Sequence, residues 1–297
     1  MIYFVSYMIY LAISFLIFSI FNVSILDLPA SNSIALLVLA NQLIMFMIMY
    51  FSYKRENDTK LIDEQVIANS YLPITQRKTL VKVSNWLFLV FVYLSSEMIG
   101  EYLPTWAYIT SSILTFILVA YTLYPLIKES SYAYRALTWK QKILLPIGLY
   151  FLYLFTAGFY MNLLELLGIV LETDNTVNQE VVMLLIDRYP VRMFFSVVIG
   201  APIMEELVFR GLCFRTLIHR NKYLAYLSSF VIFALIHLLA GFRSGVGMSE
   251  LLLAFPYGLN GLIYAYAYFK TESIYSSMSV HALSNLIAFT LIVNGVA

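Results

Sequence analysis

The sequence predicts an all-α protein, a polytopic membrane helix bundle of about nine transmembrane helices with its N-terminus on the cytoplasmic side. Of its 297 residues 61% are hydrophobic and only 12% are charged, about half the charged share of a soluble domain. A water-soluble globule of this length would need more ionisable groups to cover its surface. The apolar residues also fall into nine runs, each near the roughly 20 residues that cross about 30 Å of hydrocarbon. Only helices and closed barrels satisfy their backbone in lipid, and these runs are too long and too evenly apolar for barrel strands. A net charge of +1 offers no basic surface to a nucleic acid. The lone Cys213 excludes an internal disulfide framework and a cysteine metal cluster.

The first run, residues 3–26, lacks the basic start, short apolar core and small-residue cleavage site of a removable signal, so it is read as a retained span. A second follows at 31–53. The polar stretch 54–82 mixes both charge signs with Leu61, Ile62, Val66, Ile67 and Leu72, which suits either an interfacial helix or a solvated cytoplasmic loop with one amphipathic turn. Spans three and four lie at 83–100 and 105–127, closing an N-terminal region of four spans over 1–142. The second region, 143–297, holds five spans at 143–170, 190–218, 223–240, 249–269 and 274–294. With the N-terminus inside, 14 Lys and Arg residues fall on the cytoplasmic side, among them Arg77, Lys128 and Arg215. Only Arg188, Arg192 and Arg243 fall outside, which is the asymmetry a cytoplasmic N-terminus requires. The abundant Tyr and Phe residues are read as mostly lipid-facing or interfacial.

Ionisable groups inside a span are costly and mark function by default. The sixth span carries three, in Pro202-Ile-Met-Glu205-Glu206-Leu-Val-Phe-Arg210-Gly211. Glu206 and Arg210 share a helical face and neutralise each other. Glu205, rotated by about 100°, faces elsewhere. The trio alone would serve equally well as a buried polar clamp between helices. Span seven adds Phe233 and His237 one turn apart, and span nine adds His281 and Asn285 one turn apart. Two imidazoles, a carboxylate and an amide need partners in hydrocarbon, and facing one another supplies them. Together they hold the parts for water activation: a base, groups that ligate a metal or hold the water, and an amide for an oxyanion. By rise per residue Glu205, His281 and Asn285 lie about 8, 10 and 16 Å from the cytoplasmic edge, but His237 lies about 21 Å from it. Either span seven starts below the hydrocarbon boundary, which is the preferred reading, or Pro202 bends span six.

Glu-Glu-x-x-x-Arg at 205–210, Phe-x-x-x-His at 233–237 and His-x-x-x-Asn at 281–285, in this order, resemble the three motifs of the CAAX prenyl protease and bacteriocin-processing (CPBP, or Abi) family of intramembrane proteases. Residues 258–274 and Asn178-Gln179 are similar to further segments of that family, so the resemblance covers roughly 143–294. It implies an intramembrane endopeptidase in which Glu205 activates water with His237 beside it, His281 and Asn285 stabilise the oxyanion, and Glu206, Arg210 and Phe233 support them. Metallo- and glutamate-dependent mechanisms both stay open. Glu205, His237 and His281 could form a zinc site with an open position, yet there is no His-Glu-x-x-His helix. The expected partners are the bilayer and a membrane-associated peptide or protein, and in a bacterium the protein would reside in the plasma membrane. A non-catalytic bacteriocin-immunity or scaffold protein of the same fold, or a small transporter with a proton relay, would use the same residues.

Overall fold

Prolines and capping residues decide where the helices start and stop in the computed structural model, which describes residues 59–77, 105–171, 173, 175–238 and 247–296 with Leu43 and Met47. The spans expected at 3–26 and 83–100, and all of 31–53 except those two residues, lie outside the described residues. Among the described residues every regular element is helical. By contact the chain divides into two compact units, Met1–Ala68 with Thr79–Lys128, and Asn69–Lys78 with Glu129–Ala297.

In the first unit, helix α1 (Thr59–Ser70, which runs on into the second unit) occupies the polar stretch for which the sequence left helix and loop open. Helix α2 (Thr105–Thr122) covers most of the expected fourth span. It then turns by 76° into α3 (Tyr124–Ala136), which belongs to the second unit from Glu129 on. The cause is Pro125, which has no N–H to continue the α2 ladder and whose ring crowds the preceding turn. Lys128 reaches back to Asp63 at 2.6 Å.

The second unit carries the remaining helices. A capping box, Thr138 with Gln141, starts α4 (Trp139–Leu166). At 28 residues it is about 42 Å long, and it exposes Ile143, Leu144, Phe151, Phe155 and Phe159. Helix α5 (Val177–Arg188), capped by Thr176, lies where the sequence reading had an outer loop. Helix α6 runs without interruption over 190–218, then α7 (Lys222–Leu238), α8 (Met248–Thr271) and α9 (Ile274–Val293) follow. Two described helices, α4 and α9, are long and apolar enough to cross a membrane, or three if the bent α2–α3 pair is one span.

Helix α6 is not a plain α-helix. It passes through Pro190–Met193, a π segment Phe194–Gly200, Ala201–Val208, a second π segment Phe209–Phe214 and Arg215–Ile218. The first widening follows from Pro202, which has no N–H to donate to the carbonyl four residues back, and Ala201 donates its N–H to the carbonyl of Ser196 five residues back. Such π turns collect at functional positions, and here they flank the two glutamates.

Helices α7 and α8 approach closely because two residues of α8 have no side chain. A Cβ on Gly261 would lie 2.4 Å from the Ser229 carbonyl oxygen and 2.8 Å from Phe233 Cβ, and one on Gly258 would lie 2.5 Å from the Phe230 ring. Gly261→Ala should therefore force α7 away from α8 and lower stability by about 1–3 kcal/mol, the usual penalty of overpacking. Gly158→Ala on α4, with nothing within 4 Å of the new methyl, should be neutral or mildly stabilising, since Ala is the better helix former. Melting temperatures in detergent check both, and equal values for the two variants would contradict the close packing.

Candidate active site

Glu206 is fully buried and has a partner on every side. Its Oε2 lies 3.0 Å from Arg210 Nε, one helical turn on, and also contacts the Ser277 hydroxyl. That hydroxyl stands between Glu206 and the Tyr264 carbonyl, 2.9 Å away, and can donate to one at a time. Its Oε1 accepts from His281 Nδ1 at 2.9 Å. Arg210, equally buried, donates to the Gly261 carbonyl at 2.9 Å. Its guanidinium lies over the rings of Phe233 and Tyr264 at 5.1 and 5.3 Å, adding cation–π attraction in a dry site. The Glu206–Arg210 pair expected from spacing is thus present, and it is tied to α7, α8 and α9.

Glu205 differs from its neighbour. Its side chain is 15% exposed against 0% for Glu206, and its Oε2 stands 3.9 Å from His281 Nε2. That distance is too long for a hydrogen bond and wide enough for one water to touch both groups at about 2.8 Å.

The two histidines are held alike. A carbonyl and a carboxylate can only accept, so His237 Nδ1–H donates to the Phe233 carbonyl at 2.7 Å, and His281 Nδ1–H donates to Glu206. Each ring is left with Nε2 for chemistry. Each also lies flat on a tyrosine of α8: His237 on Tyr257 with centroids 4.2 Å apart, His281 on Tyr264 at 4.5 Å. Residues 257 and 264 are seven apart, two turns along one helix face. Phe233 touches both imidazoles, at 4.7 Å to His237 and 5.7 Å to His281. The depth mismatch counted from the sequence therefore does not separate them.

Asn285 donates an amide N–H to the carbonyl of Val197 at 2.8 Å. Val197 belongs to the first π segment, and its π-register partner five residues on is Pro202, which has no N–H. The amide thus satisfies a carbonyl that the proline leaves without its backbone donor, and the second amide hydrogen remains for another acceptor.

Among the described residues, no three His, Cys, Asp or Glu side chains are grouped so as to hold a metal ion. Glu205, His237 and His281 are not gathered into such a set: two tetrahedral zinc ligands lie about 3.4 Å apart, short of the 3.9 Å between Glu205 and His281.

Tyr257, Tyr264 and Ser277 were missed in the sequence. Most tyrosines were read as lipid-facing or interfacial, and Tyr264 and Tyr268 are buried inside the protein. Their signal was a face of α8 at 257, 264 and 268 beside Gly258 and Gly261.

Comparison with known proteins bears on the same helices. The family described as type II CAAX prenyl endopeptidase Rce1-like matches residues 187–287, which include every candidate site residue. The UPF0177 protein YvdC of Lactococcus lactis subsp. lactis (strain IL1403) is 28% identical over 159 residues, 52% of this chain and 55% of the relative. A Bacillus subtilis (strain 168) protein named "Putative membrane peptidase YdiL" is 30% identical over 145 residues, 48% of this chain and 53% of the relative. The chain thus spans about half the length of the curated relatives it matches. No solved structure matches it. The resemblance to CPBP-family intramembrane proteases drawn from the three motifs is borne out over this segment.

Proposed function

We propose that the chain is an intramembrane endopeptidase, and that Glu205 activates the water that hydrolyses a peptide bond in a membrane-associated peptide or protein. The observation that carries this reading is the contrast within the glutamate pair: Glu206 is enclosed by Arg210, Ser277 and His281, while Glu205 stays partly exposed opposite a ring nitrogen at 3.9 Å. A carboxylate so placed takes a proton from water as the oxygen attacks the peptide carbonyl carbon. It then returns that proton to the departing amide nitrogen as the C–N bond breaks, leaving a carboxylate and an amine. His237 Nε2, the unprotonated nitrogen of a ring fixed through Nδ1–H, accepts a hydrogen bond from the same water. The tetrahedral oxyanion is held by the second amide hydrogen of Asn285 and by His281 when its Nε2 carries a proton.

The test is mass-spectrometric detection of cleaved peptide with purified protein, with and without a chelator. Loss of cleavage on chelation would restore the zinc reading of Glu205, His237 and His281. Binding without cleavage would support an immunity or scaffold protein, and substrate flux without product a transporter.

The proposal includes the topology: nine spans, N-terminus cytoplasmic, multi-pass, with the site open to the cytoplasmic half. Cysteine labelling across 128–142 should then report a cytoplasmic location. Labelling of those positions from outside would reverse the orientation and move the opening of the site to the other face.

A further inference from the structure

A second ionic cluster lies outside the candidate site, built from residues whose partners are far away in the sequence. Glu129 on α3 is fully buried, with Arg77 and Arg215 almost equally so. Arg215 grips Glu129 with both terminal nitrogens, at 2.9 and 3.0 Å. Asn69 and Arg77 bind the same carboxylate at 3.1 and 3.2 Å. Arg77 also donates to the Leu72 carbonyl at 2.8 Å, to the Glu272 carbonyl at 2.9 Å and to the Glu272 carboxylate at 2.6 Å. His219, one turn beyond Arg215, meets the Thr75 carbonyl at 2.6 Å. Residues 71–77 thus form a strap that joins the middle of α3, the end of α6 and the α8–α9 turn.

Glu272 adds a second, independent sign. It closes α8 in the left-handed region, with φ of 57°, where a non-glycine residue is disfavoured. A strained conformation of this kind persists where its surroundings demand it. Here it presents both the carbonyl and the carboxylate of one residue to one guanidinium.

The spacing ties the cluster to the site. Arg215 lies nine residues after Glu206 on α6, and Glu272 lies nine residues before His281, in the turn that leads into α9. Each helix therefore meets the other at two levels: Glu206 with His281, and Arg215 with Glu272 through Glu129 and Arg77. Two rungs fix axial register, whereas one rung allows a pivot.

We infer that the Arg77–Glu129–Arg215 cluster, closed by Glu272, is a register latch that sets how α6 meets α9, and so the separation of Glu205 and Glu206 from His281. Glu129 and Glu272 are then positioning residues for the reaction under Proposed function, on which the kinetic part of this inference rests.

The test uses full-length protein in detergent with spin labels at Thr216→Cys on α6 and Ala288→Cys on α9, both exposed, in a Cys213→Ser background. The two labels stand at opposite ends of the helix pair, so their separation follows axial sliding. Glu272→Gly keeps the carbonyl that Arg77 binds and relieves the positive φ while removing the carboxylate. A residue that merely shapes the turn would leave that variant as stable and as active as the parent. A latch predicts a shifted or broadened distance distribution by double electron–electron resonance, and a kcat lower by on the order of 10-fold with KM unchanged, since small misplacement of reacting groups is costly. Glu129→Gln should show the same with larger effect, and if it fails to fold, the Glu272 variant decides. Unchanged distances overturn the latch. Altered distances with unchanged kcat overturn the positioning role. If the parent cleaves no peptide, the peptidase reading fails, and the distances alone decide the register claim.

Discussion

Glu205→Gln should abolish most turnover while leaving peptide binding intact. The amide keeps the size of the carboxylate and its ability to hydrogen-bond, but it cannot take a proton from water. Loss of a positioned general base lowers the rate by roughly 10²–10⁴-fold. Glu205 is 15% exposed and the amide keeps its hydrogen-bonding capacity, so the fold should survive the substitution. His281→Ala and Asn285→Ala should slow cleavage by on the order of 10²–10³-fold if each donates to the oxyanion. Asn285 has a second task, satisfying the Val197 carbonyl at 2.8 Å, so its Ala variant should also melt earlier. His281→Ala removes one of the partners of Glu206 and should do the same. Glu205→Gln should therefore be the variant with the greatest loss of rate per degree of melting temperature lost. Parallel cleavage and melting series on the purified variants give that ratio. A Gln variant that cleaves as fast as the parent would remove Glu205 as the base.

The candidate site was largely legible in the sequence because charge in an apolar helix is conspicuous. Glu205, Glu206 and Arg210 could be seen at once, and the i, i+4 pairs Phe233–His237 and His281–Asn285 announced their helix faces. What sequence could not show was which partner each group chooses. That His281 would turn Nδ1 to Glu206, and that Asn285 would fill the gap behind Pro202, depend on packing between helices. The latch was hidden for another reason. Arg77 and Arg215 look like ordinary cytoplasmic cations in a positive-inside count, and their shared partner Glu129 lies 52 and 86 residues from them. Helix α5 was read as loop because it falls between the long apolar runs at 143–170 and 190–218, and run length was what marked a helix. Its Thr176 cap with Gln179 at N3 and Pro190 just after its end were the signals that mark it. The bend at Pro125 is of the same kind, a proline inside an apolar run that length alone carried through as one span.

The largest stability effect should come from Arg210→Ala, and it should exceed that of Glu205→Ala although both delete a charge from the same helix. Arg210 is fully buried, and its removal leaves the Glu206 carboxylate at 0% exposure without its guanidinium. Breaking a buried pair by deleting one member costs about 3–5 kcal/mol. Ser277 and His281 still contact Glu206, and Gly261 loses the donor to its carbonyl. The face shared by Phe233 and Tyr264 loses the cation that lies over it. Glu205→Ala, at a partly exposed position, leaves the buried Glu206–Arg210 pair in place. The double variant Glu206→Gln, Arg210→Met separates charge from packing. It takes away both ions while keeping volume, and neutral replacement of a buried pair is often tolerated. It should therefore recover much of the stability lost in Arg210→Ala. It should not recover full activity, because His281 Nδ1 would face an amide in place of the carboxylate that fixes and polarises its ring. Melting temperatures of the three variants in one detergent decide the matter. Were Glu205→Ala the least stable of them, the roles of the two glutamates would have to be exchanged.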